Sequence, residues 1–252
     1  MWPIDRWRDA VVLRVCRDAV ERWEPAASGL CMRAGEPLAR PMDAGALETA
    51  VTRLFAPAAP APRRVDVVAE SAWLPVVPLG TGAGRGDLAG MEALLSERLA
   101  AFFDGADDPV ADWTLLIDGL PGEAGACGYG LRPRVHEALA RGLRAGACTP
   151  ASVQPAWTWA RRHASQRGVR RHSGWWLWQE SDRTLVARLE RGRVLSLHPA
   201  AAPVDAHAQV RDIVAAEAAR LGADARAPVL AGGWRRPQGL APAVRWLALA
   251  AD

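Results

Sequence analysis

The chain has 252 residues, half of them hydrophobic and 23% charged, the profile of a globular protein with length enough for one large domain or two ordinary ones. Its formal net charge of +3, from 31 basic and 28 acidic residues, is too small to argue for nucleic acid by itself. Cys16, Cys31, Cys127 and Cys148 form neither a CxxC pair nor a metal spacing. Each lies among apolar or small residues, so buried free thiols are the first reading and disulfides the lesser one. Lysine is absent, which, with the wealth of Ala and Pro, reads as compositional bias. Asp5, Arg6, Arg8 and Asp9 stand where a signal peptide needs apolar residues. No uncharged apolar run approaches the ~18 residues of a membrane span, so a cytoplasmic location is expected.

In chain order, Val11–Cys16 is a β-branched run, and Ala19–Trp23 returns from the Arg17-Asp18 turn as a hairpin. Leu30–Arg40 has a weaker extended pattern. Asp43 is an N-cap for a helix with Leu47, Val51, Leu54 and Phe55 on one face. Pro57–Pro62 is an extended connector, and Arg64–Ala69 a strand. Ala72–Leu79 is extended, with two prolines that suit an edge strand. The glycine-rich stretch Gly80–Gly86 leads into a helix carrying Met91, Leu95 and Leu99. Trp113–Ile117 is a short strand ending at Asp118, Gly119–Gly130 a second glycine-rich loop, and Pro133–Gly146 a helix. Ala151–Gln154 is a short strand and Pro155–His163 a further helix. Gly174–Glu180, Arg183–Glu190 and Arg193–His198 then read as three strands, Asp205–Leu221 as a helix and Ala227–Ala231 as a last strand.

Two parts of the chain therefore repeat one order, β-β-β-α-β. The first and fourth strands begin near Val11 and Val65 in one half and near Gly174 and Pro228 in the other, an offset of 54 each time (65 − 11 and 228 − 174). The reading divides the chain into a first unit at 1–71, an intervening α/β segment at 72–172 and a second unit at 173–252.

No complete catalytic motif is present. Gly80–Gly86 lies between a strand and a helix but lacks the Lys-Ser/Thr of a phosphate loop and does not fit G-x-G-x-x-G, so it reads as a connector. Asp118 ends a strand, a favoured place for a catalytic carboxylate, but no second acid, His or nucleophile accompanies it. Asp104, Asp107, Asp108 and Asp112 form no calcium-loop pattern. The histidines have no ligand spacing, so no metal is expected. The strongest charge feature is Arg161, Arg162, Arg167, Arg170 and Arg171, five arginines within eleven residues. They suit an acidic protein partner, a phosphate or an anionic membrane face, or else a solvated helix end. Trp157, Trp159, Trp175, Trp176 and Trp178 form an aromatic centre. Alternation puts Trp176 and Trp178 on one face and Trp175 on the other.

This duplicated plan resembles the actin/Hsp70/sugar-kinase superfamily, whose halves are each an RNase H-like β-β-β-α-β unit. More narrowly it is similar to degenerate bacterial members, the cytoplasmic domain of the type II secretion L component and the actin-like M protein of type IV pilus assembly. The likeness is carried by Val68–Leu79, Trp113–Asp118 with its helix, Ser152–Pro155, the Trp-rich hairpin and the closing helix and strand. It implies a two-lobed α/β fold. Working members of the superfamily hold ATP on two D-x-G loops and a Gly-Gly adenosine loop. Here the first hairpin offers Arg17-Asp18-Ala19 and the second Glu180–Thr184, both without glycine, and only Gly232-Gly233 matches. Glycine matters there because the backbone must approach a phosphate closely. The resemblance thus implies a non-catalytic scaffold with no bound cofactor, its partners the proteins of a secretion or pilus assembly platform at the inner membrane, and a homodimer is also compatible. A membrane link would have to come from a separate protein, because the chain ends at Asp252 without a spanning helix. The alternative is a nucleotide sensor or ATPase that binds ATP through Gly232 and Gly233 in the cleft between lobes.

Overall fold

The computed structural model describes residues 11–26, 29–56, 63–79, 87–103, 108–118, 126–165, 171–200, 207–234, 236–237 and 245–248. The proline connector, the Gly80–Gly86 loop, Asp104, Asp107, the Asp205 cap, Arg167 and Arg170 lie outside them. The first sheet takes β1 (Val11–Val15), β2 (Ala19–Ala26), β3 (Gly29–Pro37), β4 (Arg63–Ala69) and β8 (Cys148–Pro155), in the order β3-β2-β1-β4-β8. The second takes β9 (Gly174–Gln179), β10 (Thr184–Glu190), β11 (Arg193–Ala200), β12 (Val229–Gly233) and β13 (Arg245–Ala248), in the order β11-β10-β9-β12-β13. Counted within each sheet the two orders are the same, 3-2-1-4-5. The repeat reaches down to register: Val11 lies opposite Val65 and Trp175 opposite Val229, a spacing of 54 in both (65 − 11 and 229 − 175). The first sheet draws its fifth strand from within 72–172, beyond the first β-β-β-α-β run.

Helix α1 (Ala44–Phe55) and helix α3 (Pro133–Ala145) cover the outer face of the first sheet. Asp43 caps α1 by accepting from the Ala46 N–H at 2.7 Å. Asp43→Ala is expected to cost about 1 kcal/mol, read as a lower urea midpoint at unchanged slope. Helix α5 (His207–Leu221) covers the outer face of the second sheet, against Trp175 and Leu177. Between the sheets lies a shared core of Val12, Trp23, Val68, Trp176, Trp178 and Trp234, filled by Trp157 and Trp159 of α4 (Ala156–Ser165). The alternation expected of Trp175, Trp176 and Trp178 is therefore observed. Val11, Leu13 and Val15 of β1 face α1 and α3, while Val12 faces the shared core. A central strand buried on both faces explains an apolar run broken only by Arg14.

A third sheet, ordered β5-β7-β6, is formed by β5 (Val76–Pro78), β6 (Thr114–Asp118) and β7 (Cys127–Leu131), with α2 (Leu88–Phe103) packed on it. The proline-bearing β5 is an edge strand, as its sequence suggests. The expected loop at Gly119–Gly130 is corrected at its C-terminal end, where Cys127–Gly130 belongs to β7. A Cβ on Gly128 would sit 2.6 Å from the Leu95 side chain, and one on Gly130 would sit 2.6 Å from the Trp113 ring. These glycines serve close packing beneath α2 and do not mark a turn. None of the four cysteines is in a disulfide, and three of them are buried. Among the described residues no helix is long and apolar enough to cross a membrane.

Candidate functional site

Two equivalent hairpin turns face each other where the sheets converge. In the first, the Cys16 N–H donates to the Ala19 carbonyl at 2.8 Å, and in the second, the Glu180 N–H donates to the Arg183 carbonyl at 2.9 Å. Arg17 at one tip pairs with Asp182 at the other, at 3.2 Å. Arg17 is about half exposed, so this bridge contributes little by itself. Burial works against the Asp182 carboxylate, but hydrogen bonds from Arg183 and Arg17 hold it below its usual range.

Behind the tips lies a reciprocal clasp. Glu70 follows β4 and is fixed by its own N–H donating to Val15 and by its carbonyl accepting from Trp73 and Leu74. Its carboxylate accepts from the Ser181 N–H at 3.1 Å and from the Ser181 hydroxyl. Glu180 follows β9, and its carboxyl group accepts from the Ser71 N–H at 3.0 Å and bonds to the Ser71 hydroxyl. Each lobe thus extends a Glu-Ser dipeptide whose acid is held by the serine of the other.

The two acids differ in charge compensation. Glu70 is fully buried and receives Arg14 at 2.5 Å through Nη2 and 3.1 Å through Nε. Arg14 also reaches Glu21 at 2.9 Å and lies 5.0 Å over the Trp234 ring. Burial disfavours the Arg14 charge, yet Glu70 beside it raises its pKa above the ordinary value. Glu180 is also buried, and among the described residues no arginine donates to it as Arg14 does to Glu70. Burial, and then the proximity of Glu70, push its pKa up to about 8 against the pull of Ser71 and Arg183. The neighbouring Cys16 thiol is also pushed far up, first by burial and then by Glu70, so it is no nucleophile.

What remains open at this place is a cavity of about 260 Å³ lined by Arg14, Asp18, Glu21, Gln179, Glu180 and Trp234 among others. That is smaller than the ~300–1,000 Å³ of ordinary small-molecule sites. Trp234 fills the adjacent space, stacked on Trp159 at 5.2 Å and tilted against Trp23 at 5.2 Å. Among the described residues no group of three His, Cys, Asp or Glu is placed to hold a metal ion.

The residues singled out from sequence fall in several places. Gly232 and Gly233 are the last residues of β12, immediately before Trp234. A Cβ on Gly233 would stand 2.8 Å from the Trp246 ring, and one on Gly232 would stand 3.1 Å from the Leu247 carbonyl, so both glycines admit β13. Arg161 and Arg162 are on α4, and Arg162 donates to Gln154 at 3.3 Å and lies 3.9 Å from Asp118. Arg171 is exposed just before β9. From sequence, Glu180 and Ser181 enter only as part of the Glu180–Thr184 turn and Glu70 and Ser71 only within Val68–Leu79; Arg14 and the pairing itself are not foreseen. The signal that could have found them is the Glu-Ser dipeptide closing an apolar run in both halves, at 70–71 and 180–181.

No family model matches the chain, and no curated protein matches it. Solved structures do. One is a Bacteroides thetaiotaomicron protein with an actin-like ATPase fold and unknown function, at a TM-score of 0.54 and 11% identity over 92% of this chain and 84% of that one. Another is the cytoplasmic domain of EpsL, an inner membrane component of the type II secretion system of Vibrio cholerae, at 0.52 and 13% over 96% and 90%. A third comes from a PilM–PilN type IV pilus biogenesis complex, at 0.52 and 14% over 86% and 67%. At these identities the likeness concerns the fold. The chain has the actin-like ATPase fold.

Proposed function

We propose that this protein is a non-catalytic actin-like scaffold that works in assembling a type II secretion or type IV pilus-like system on the cytoplasmic side of the inner membrane. The observation that carries the non-catalytic part is the reciprocal Glu-Ser clasp. Backbone N–H groups and hydroxyls that could hold an anion are already taken by the protein's own acids, and Trp234 fills the space beside them. Neither hairpin turn carries a glycine, and the cavity wall includes Asp18 and Glu21, acids that disfavour a triphosphate. Gly232 and Gly233 then remain as a vestigial adenosine loop whose space serves β13. The assembly role is supported by the shared fold with EpsL and with the PilM–PilN complex. Arg161, Arg162, Arg167, Arg170 and Arg171 are the proposed contacts to an acidic protein partner.

Titration with labelled ATP and Mg²⁺ tests the reading. No saturable binding is expected, and saturation in the micromolar range would sink the scaffold in favour of a nucleotide sensor. In the same experiment, co-expression with secretion or pilus platform proteins from the same genome should give a complex that survives without nucleotide.

A further inference from the structure

Topology gathers a second set of arginines at the end of the second lobe farthest from the clasp. Three segments meet there: residues 171–173 ahead of β9, the β10–β11 turn at Arg191-Gly192, and the loop from Leu221 to Pro228 between α5 and β12. The Gly192 N–H donates to the His172 carbonyl at 2.8 Å, and the Arg191 N–H donates to the Ser173 hydroxyl at 2.9 Å. Trp175 ties in the third segment, donating from its N–H to Pro228 at 2.8 Å and from its indole to Asp224 at 3.0 Å. Arg171, Arg191, Arg193 and Arg226 are all exposed at this pole. Among the described residues none of the four is ion-paired. The acids nearby are Glu190 and Asp224, and one Asp224 oxygen already accepts from the Arg226 N–H at 2.8 Å.

Two further features separate this pole from an ordinary solvated face. Arg191 has φ +49°, a left-handed conformation that a two-residue hairpin turn normally gives to Asn or Gly. A long cation is thus held at the tip against local preference. Arg188, paired across from Trp175, lies 5.4 Å over that ring with its Nη1 buried and unpartnered. Exposed leucines flank the cations: Leu195, two residues beyond Arg193 on β11, is 45% exposed, and Leu221 at the end of α5 is 37% exposed.

We infer that this pole docks directly on an anionic lipid surface, the guanidinium groups of Arg191, Arg193 and Arg226 on lipid phosphates and Leu195 and Leu221 in the headgroup layer, while Arg171 at its rim stays with the protein partner. Guanidinium forks match phosphate oxygens in pairs, which favours an anionic ligand. Cations interleaved with singly protruding leucines match a bilayer interface, whereas a protein partner would bury a contiguous apolar core. The inference does not depend on whether the cleft takes a nucleotide, so the ATP titration and the lipid test fail separately.

The test is co-sedimentation of the full chain with phosphatidylcholine vesicles, with and without phosphatidylglycerol. Binding is expected only to the anionic vesicles and should weaken with added salt. The double variant Arg191→Ser/Arg193→Ser should lower the partition coefficient roughly 30-fold, the factor that corresponds to about 1 kcal/mol for each arginine. Leu195→Ser should lower it several-fold with both charges intact. Arg191→Gly relieves the left-handed strain, so it should bind more weakly while its unfolding midpoint is no lower than that of the parent chain. Absence of vesicle binding, equal binding to neutral vesicles, or variants that bind like the parent would overturn the proposal. So would an arginine-dependent affinity for poly-glutamate together with vesicle binding that Leu195→Ser leaves unchanged, which would assign the pole to an acidic protein.

Discussion

Glu70→Ala is expected to lower the unfolding free energy by about 3–5 kcal/mol, a large fraction of the stability of an ordinary domain. Arg14 would keep its buried guanidinium and lose the Glu70 Oε1 to which its Nη2 and Nε both donate, at 2.5 and 3.1 Å. Removing one partner of a buried pair costs far more than the pair contributes, because the remaining charge stays in a poorly solvating place. Glu21 at 2.9 Å and the Trp234 ring at 5.0 Å give Arg14 partial compensation, which sets the effect toward the lower end. The Ser181 N–H and hydroxyl would also lose their acceptor. Glu70→Gln keeps the shape and one accepting oxygen, so it should cost less. Urea unfolding at neutral pH reads both. A loss below about 1 kcal/mol for Glu70→Ala would mean that Arg14 is solvated well enough to need no clasp.

Stability is also expected to fall as pH rises from about 4.5 to about 8, and Glu180 is the cause. In the folded chain burial and Glu70 push its pKa from 4.5 to about 8, so the native state holds a proton that the unfolded chain releases near its ordinary value. Where the native state binds more protons than the unfolded state, stability decreases with pH. This contribution is therefore complete below about 4.5 and lost as pH rises through about 8. When protonated, Glu180 can donate to the Ser71 hydroxyl while its other oxygen accepts the Ser71 N–H. When ionised, it faces Glu70 across the lobes. Asp182 works in the opposite sense, because its depressed pKa makes its contribution vanish as pH falls. Comparison with Glu180→Gln isolates the effect, since that amide keeps one donor and one acceptor and does not titrate. The parent chain should lose more stability than Glu180→Gln between about pH 5 and about pH 9. Parallel curves would show that Glu180 ionises normally in the fold.

The lobes were legible because each repeats a pattern that local chemistry enforces. Val11–Val15 and Gly174–Gln179 are rich in apolar residues on both faces, as central strands are, and their hairpin turns follow at once. Asp43 announced its helix through capping chemistry. Strand β7 was hidden because Gly128 and Gly130 carry the turn signal, while their real role, admitting Leu95 and Trp113, depends on residues distant in sequence. The clasp was hidden for a related reason. A Glu-Ser pair after a strand is an ordinary turn in isolation, and its meaning arises only when residues 111 positions apart meet, as Glu70 and Ser181 do. The arginine run at 161–171 had the opposite fault: adjacent in sequence, its described members are divided between α4 and the segment ahead of β9. The basic pole, in turn, collects arginines from three separate loops.

The two sheets, so alike in strand order, close on different schedules. In the second, Leu230 meets Arg245, 15 residues later (245 − 230), but in the first, Val65 meets Pro150, 85 residues later (150 − 65). The longer loop raises the closure entropy by about 1.5 kcal/mol. During synthesis β4 therefore waits with one edge open while the third sheet and α3 emerge, and an open edge is a template for pairing with another chain. Of two halves that match when finished, the first is therefore the one expected to keep an unpaired strand edge for longer as the chain is made.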